Sequence, residues 1–562
     1  MIMQDGSGRQ MQKCLPPWLR NNLAMAVLIT VSFIMYAPSL GGDFIIDDIP
    51  QVRDNPYIRH ISDIPRYFTK GLWENSALEI TTEKRYLPMT LVPMLLNYQV
   101  WGKNPFGYHL FLLLLHLVNA FLVYVLIRKI ASGSAMAATV GAAVFALHPA
   151  KVGSVAWIIG GVEPLVAFFL LGAMLSHRYY ANSLGHDKKW RYLGLSLVCF
   201  QLALWSKEVA VAFPLVVAVH DLIYRKKIDW TTASLHALIV VAYMIARSLV
   251  LGGAGVTEGV NLSQFSRALD FALGYSEMLV FPLHIPFYIL PPEHSVSSVL
   301  GWIGILVMFT LAGFGWRTFD KSRRQVFAFS AAWAVIFFWP AILLAFYTLG
   351  FYAPRYLYVP SVGVSIFIAV LYDSMNAAYS RLKIPVMAAC ALIVVGYGFL
   401  TWKEIPVWHD NGTIYRKVAD DAPETPVGFL GLGQYYLNHE DYVAAEANYL
   451  LALQKTKTPQ SRVDPLVALG TINGITNHLD KSESYLQEAV GIDPRNSDGW
   501  AGLGNLAWIR GQPYKAISFY EKALSIRPEY YEAAMNLANA YDKTGQLQRA
   551  DLMRERASAM HR

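Results

Sequence analysis

Between Leu23 and Trp402 the sequence repeats one pattern, an apolar run of about 20 residues closed by a short loop, and this constrains the fold more than any other feature. The runs fall at 23–40, 107–127, 135–147, 161–177, 191–206, 208–223, 233–252, 296–315, 327–348, 358–374 and 384–402, about 11 in all. In lipid every backbone polar group must be paired inside the chain, so such a pattern predicts an all-α polytopic membrane bundle. Composition agrees, because 54% hydrophobic and 15% charged residues are too apolar a mixture for a soluble chain of 562 residues. The net charge of +7 does not point to nucleic acid. The basic residues sit in alternate short loops, as at Arg128-Lys129, Lys188-Lys189, Arg225-Lys226-Lys227, Arg323-Arg324 and Arg381 to Lys383, which places those loops and residues 1–22 in the cytoplasm. Segment 267–290, interrupted by Pro282 and Pro286, reads as re-entrant or interfacial, which keeps the alternation and puts the C-terminus outside. Cys14, Cys199 and Cys390 form neither a disulfide framework nor a metal motif.

Beyond a linker at 403–425, residues 426–562 change to a soluble helical pattern with a period of 34 residues. Trp500, Leu503, Gly504, Ala507, Ala516, Tyr520, Ala523 and Pro528 stand at the offsets of a tetratricopeptide repeat. Copies starting near 426, 463, 497 and 531 make four repeats. Small residues at these positions let paired helices approach, and stacked pairs form an α-solenoid whose concave face suits an extended polypeptide.

The chemistry points to the first outer loop, 41–106. Asp47 and Asp48 adjoin there, with Asp43, Arg53 and Asp54 close in sequence, just after the first apolar run. Adjacent carboxylates raise one another's pKa, and a carboxylate at a low-dielectric boundary can take a proton from a hydroxyl. A solvated acidic turn is the ordinary alternative. Other polar residues gather at the same outer face: His148 and Lys151, Glu163, Lys207 and Glu208, Arg247, and Arg355 with Tyr356. Each alone has a structural reading, such as a Lys207–Glu208 pair or an Arg355 reaching for the interface. Together, His148, Lys151, Lys207, Arg247 and Arg355 could hold the phosphate of a lipid carrier.

The order of motifs carries a family resemblance. Asp47-Asp48 precedes Asn55-Pro56, then come Trp101 to His109, His116 to Asn119, His148-Pro149 before Val155-Ala156-Trp157, Ser206-Lys207-Glu208, Arg355 to Gly363, and the repeats. The chain resembles the transmembrane and tetratricopeptide-repeat O-mannosyltransferases and their bacterial relatives, multi-spanning glycosyltransferases of GT-C type that use lipid-phosphate sugars. The resemblance implies that 23–402 is the catalytic domain and that a polyprenyl-phosphate hexose, mannose in the family, is the donor. It implies inverting transfer to a Ser or Thr hydroxyl of an exported protein held by the repeats. It assigns Asp47 or Asp48 as the base and basic side chains at the outer face to the leaving phosphate; the candidate donor residues in this chain are Arg85, His148, Lys151, Lys207, Arg247, Arg355 and Tyr356, with Glu163 or Glu208 as an acceptor-side or second acid. The chain departs from the family pattern where Leu87 precedes Pro88 in place of arginine, and at Gly153, Gly161 and Pro354, where relatives often carry charged residues. The sugar is therefore left open.

No cofactor is expected. A divalent ion on Asp47, Asp48 and Glu163 is the disfavoured alternative. The expected partners are membrane lipid, the lipid-linked donor and an exported acceptor protein. The expected location is a bacterial inner membrane with periplasmic repeats, the alternative an endoplasmic reticulum membrane with lumenal repeats. A non-catalytic membrane-anchored scaffold is the competing function, but an anchor has no need of Lys207, Arg247 and Arg355 at one face.

Overall fold

The structure, a computed structural model, describes residues 17–78, 85–131, 133–183, 185–253, 262–287, 299–347 and 353–560. All its regular elements there are helical, and they divide into two units, Met1–Asp410 and Asn411–Arg562.

The first unit runs α1 (Pro17–Tyr36), α2 (Pro88–Trp101), α3 (Pro105–Ile130), α4 (Ala135–Ala146), α5 (Val162–Asn182), α6 (His186–Ser206), α7 (Phe213–His220), α8 (Trp230–Leu251), α9 (Leu262–Val280), α10 (Val299–Thr318), α11 (Lys321–Tyr347), α12 (Ser361–Ala378) and α13 (Lys383–Glu404). Local chemistry sets the ends. Asn104 caps α3 by accepting from Phe106 N, Pro105 occupies its first turn, and Arg128 and Lys129 close its last, where the helix dipole favours cations. Small residues then decide how closely helices approach. A Cβ at Gly141 of α4 would stand 2.6 Å from Ser365 O of α12, and one at Gly363 of α12 would stand 2.4 Å from Ser330 O of α11. One apolar core, containing Phe145, Leu170, Met174, Trp333 and Val362, joins these helices.

Seven described helical segments are long and apolar enough to cross a membrane, or eight if α4 and the bent segment Pro149–Val155 form one span. The chain is an integral membrane protein. Of the other expected runs, 191–206 lies in α6 and 327–348 overlaps α11, whereas 208–223 is divided among a 3₁₀ turn, the short α7 and a π turn at Asp221–Arg225. In 267–290 the helix α9 ends at Val280, before Pro282, and Phe271–Val280 is its apolar part among the residues with described side chains. The expected residues 288–290, 296–298 and 348 lie outside the described residues.

The first outer loop contains short turns around a small core of Phe44, Val52, Ile58, Tyr67 and Leu91. Buried Asn55 fastens it: its amide donates to Gln51 O at 2.8 Å and Asn75 O at 2.7 Å, while its Oδ1 accepts from Tyr57 N at 2.8 Å. The Asn55-Pro56 motif therefore shapes the loop.

The second unit begins with α14 (Asn411–Asp421), followed by the helix pairs α15 (Val427–Asn438) and α16 (Tyr442–Lys455), α17 (Val463–Ile475) and α18 (Leu479–Ile492), α19 (Ser497–Ile509) and α20 (Pro513–Ile526), and α21 (Tyr531–Lys543) and α22 (Leu547–Met560). Segment 403–425, read as a linker, is mostly helical: Ile405–Trp408 forms a 3₁₀ turn in the first unit, and α14 packs on α15. Gly433, Gly470 and Gly504 each face a large side chain 16 residues on, Tyr449, Leu486 and Tyr520, with room for no Cβ. The same approach thus recurs in three successive repeats, 37 residues apart at the first step and 34 at the second.

Candidate active site

The acidic turn after α1 is a strained element. Ile46 holds a φ of 46°, a left-handed backbone that a β-branched residue adopts only under constraint, and a π turn at Ile49–Arg53 follows. Constraint comes from Asp48. Its side chain is fully buried, Oδ2 accepts from Ile45 N at 3.1 Å, and Oδ1 accepts from Ile159 N at 2.8 Å, tying the first loop to the segment before α5. Burial drives the Asp48 carboxyl well above the usual carboxylate range, the two backbone N–H donors oppose it, and the charge of Asp47 adds to the rise. Asp47 is only half-buried. Of the two adjacent acids, the geometry makes Asp48 the anchor and leaves Asp47 as the more accessible carboxylate.

The segment fastened by Asp48 carries much of the remaining site. Glu163, at the start of α5, is buried and pairs with Lys207, whose ammonium also lies 4.4 Å from the Tyr356 ring centroid. Lys207 thus turns to Glu163, not to Glu208. Arg355 is half-buried, its guanidinium 4.8 Å from the Trp157 ring centroid and 5.3 Å from that of Tyr356. Lys151 is 1% exposed, with its ammonium 4.6 Å from the Phe145 ring and 5.9 Å from the Tyr358 ring. Among the described residues neither Arg355 nor Lys151 has a carboxylate within ion-pair distance. Their turns, Pro354–Leu357 and Pro149–Lys151, pack together.

Other expected donor residues are engaged in different ways. His148 is a cap: its Nδ1 accepts from Ala150 N at 3.3 Å, and its Nε2 lies 3.3 Å from Leu279 O, leaving neither ring nitrogen free for phosphate. Glu208 and Arg247 both act electrostatically on Tyr243, whose hydroxyl donates to Tyr86 O at 3.3 Å, next to exposed Arg85. Arg247 follows Tyr243 by one turn on α8, Glu208 adjoins Lys207 and Arg85 adjoins Tyr86, so the three border the Tyr86–Tyr243 contact by their place in the chain.

A buried hydrogen-bond chain that sequence reading passed over joins the pieces. Asn119 Nδ2 donates to Pro164 O at 2.8 Å and to the Tyr358 hydroxyl at 3.2 Å. That hydroxyl lies 2.7 Å from His116 Nδ1, and His116 Nε2 lies 3.0 Å from Ala146 O. With Nε2 protonated, every donor meets an acceptor. The chain links the segments bearing Glu163, Arg355 and Lys151 through α3. The available signal was two polar residues three apart, hence on one face, inside an apolar run. Replacing Tyr358 by Phe leaves His116 Nδ1 without its donor, with an expected loss of about 1–3 kcal/mol, read as a lowered unfolding midpoint of the solubilised protein.

The proposed metal alternative meets poor ligands. Asp48 is held by backbone N–H groups and Glu163 by Lys207. Another close His/Asp group, His177, His220 and Asp221, lies toward the other end of α5 from Glu163. There His177 and His220 lie 2.9 and 3.3 Å from Asp221 Oδ1, and Arg225 lies 3.3 Å from Oδ2. The Arg178 guanidinium stands 3.5 Å from His220 Nε2, where an imidazole bound to metal through Nδ1 would present a proton. The arrangement fits a hydrogen-bonded hub centred on Asp221.

Comparison with known proteins agrees with the two-part reading. A tetratricopeptide repeat family model matches residues 507–559. The protein O-mannosyl-transferase F38B6.6 of Caenorhabditis elegans is 25% identical over 76% of this chain and 62% of its own. The protein O-mannosyl-transferase TMTC3 of Mus musculus is 22% identical over 92% of this chain and 65% of its own. The crystal structure of ArnT from Cupriavidus metallidurans bound to undecaprenyl phosphate aligns with a TM-score of 0.38 and 13% identity, covering 91% of this chain and 81% of that one. This chain spans about six-tenths of the length of the curated relatives it matches. The protein is thus a membrane-embedded homologue, over most of its length, of proteins named protein O-mannosyl-transferases, and it carries tetratricopeptide repeats.

Proposed function

We propose that this chain is an integral-membrane glycosyltransferase that moves a hexose from a polyprenyl-phosphate carrier to Ser or Thr hydroxyls of an exported protein, with inversion. The observation that carries this reading is the pair of cations without carboxylate partners among the described residues, Lys151 and Arg355, on turns packed together in the region that Asp48 ties to the Asp47 turn. Asp47 takes the proton of the acceptor hydroxyl as its oxygen attacks the anomeric carbon from the face opposite the phosphate. The bond from that carbon to the phosphate oxygen breaks, and its electron pair leaves on the polyprenyl phosphate. Lys151 and Arg355 stabilise the charge gathering there. Glu163 neutralises Lys207 and holds it against Tyr356, near the same phosphate.

An apolar cavity of about 630 Å³, lined by Leu279, Phe281, Val307, Phe327, Phe367 and Tyr397 among others, suits the isoprenoid chain. Two of its lining residues, Leu279 and Tyr397, also meet His148, three residues from Lys151. The basic loops support a cytoplasmic N-terminus and, with it, repeats on the outer side, periplasmic in a bacterial inner membrane, where they hold the acceptor polypeptide.

The test is transfer of labelled hexose from polyprenyl-phosphate hexoses to exported proteins by the reconstituted chain, with the anomeric configuration of the product determined. Transfer with inversion supports the reading; intact protein binding without transfer from any such donor leaves the scaffold. Transfer is expected to continue in excess chelator, since cations of the chain stand where a metal would act. Complete loss restored by added Mg²⁺ or Mn²⁺ contradicts that expectation.

A further inference from the structure

The first helices of three successive repeats, α17, α19 and α21, contribute to a groove of about 380 Å³ in which none of the lining side chains is charged. Its polar and apolar parts are separate. Asn505 Oδ1 accepts from the Tyr520 hydroxyl at 2.6 Å and from Asn536 Nδ2 at 3.0 Å. These bonds fix both amides. Asn505 keeps its N–H₂ group without a partner among the described residues, and Asn536 keeps its carbonyl oxygen. The pair presents one donor side and one acceptor side, as a peptide group does. Beside it Ile475, Trp508 and Ile509 are exposed on the groove, an apolar surface that burial of one large side chain would cover.

We infer that this groove binds an extended, uncharged polypeptide segment through one of its backbone peptide groups, held by Asn505 and Asn536, and one large apolar side chain seated on Ile475, Trp508 and Ile509. This deepens the proposed function and rests on its reading that the repeats hold the acceptor. It gives that acceptor a chemical description: Ser/Thr-containing, locally unfolded, without acidic or basic residues at the bound stretch, and with an apolar anchor. Charge complementarity selects this occupant, because a charged segment would leave water for a wall that offers no counter-charge.

The test measures binding without any sugar donor, so it does not depend on transfer. A labelled 11-residue peptide of Ser, Thr and Gly with one central Leu is titrated by anisotropy against the full chain in detergent. Three altered peptides follow, with Leu replaced by Asn, with a flanking residue replaced by Asp, and with an N-methyl group on the amide beside the Leu. Each is expected to bind about tenfold more weakly, from losing an apolar anchor, meeting an unpaired charge, or losing a backbone hydrogen bond. Asn505→Ala with Asn536→Ala should weaken the parent peptide similarly and abolish the N-methyl effect. Because the altered peptides meet the unmodified protein, misfolded variants cannot produce their result. Equal binding of the parent, Asp and N-methyl peptides overturns the inference, as does a groove filled by a second copy of the chain, seen as self-association that the peptide cannot displace. Selective binding without sugar transfer leaves the groove standing and removes the enzyme; transfer without selective binding does the reverse.

Discussion

Asp47→Asn is expected to lower hexose transfer by about 100-fold or more, the contribution typical of a positioned general base, with a smaller change in the unfolding midpoint than Asp48→Asn. Asparagine keeps the size of the half-buried side chain but cannot take the proton. Asp48→Asn should behave differently. Asp48 accepts a backbone N–H on each of its two carboxylate oxygens and is fully buried, so it is built into the loop, whereas Asp47 is only half-buried. The amide introduced by Asp48→Asn can keep one of the two bonds from Ile45 N and Ile159 N but places its own N–H₂ against the other donor. The expected cost is about 1–3 kcal/mol of stability, with a smaller loss of transfer that follows from the loosened loop. Measuring both variants by single-turnover transfer and thermal unfolding separates base from anchor. Full transfer by Asp47→Asn would remove it from the mechanism.

The physical origin of each feature explains what sequence reading could reach. The apolar runs and the 34-residue repeat are written locally, as hydrophobic periodicity and as small residues at fixed offsets, so the bundle and solenoid were legible. The Asp47-Asp48 turn was legible too, as acids beside an apolar run. Which acid does what was not, because Asp48 finds its second partner at Ile159, 111 residues away. Lys207 turned from its sequence neighbour Glu208 to Glu163, 44 residues earlier, since helix packing sets that contact. His148 could have been read better: a residue with a side-chain acceptor followed by Pro at the first position of a turn has the form of a cap. The break-up of 208–223 was hidden because 3₁₀ and π turns use the same apolar residues as a continuous helix.

Replacing Lys151 by Met should separate stability from function most sharply. Lys151 is 1% exposed, faces the rings of Phe145 and Tyr358, and has no carboxylate partner among the described residues. A buried ammonium in that setting is costly, and two aromatic contacts return only about 2 kcal/mol. Methionine has a similar length, is unbranched and fills the same space without a charge. If the ammonium serves only the fold, its removal should lower stability or leave transfer untouched. If it waits for the donor phosphate, Lys151→Met should unfold at an equal or higher temperature yet transfer about 100-fold less, the loss expected when one charge-stabilising group leaves a reaction centre. Glu163→Gln supplies the contrast, because it strips the partner from Lys207 and should lower stability and transfer together. The deciding measurement is the unfolding midpoint of the solubilised Lys151→Met protein beside its transfer rate with saturating polyprenyl-phosphate hexose. A variant that is more stable and still active would show that the phosphate is held elsewhere, with the Arg85, Arg247 and Glu208 group around Tyr243 as the next place to look.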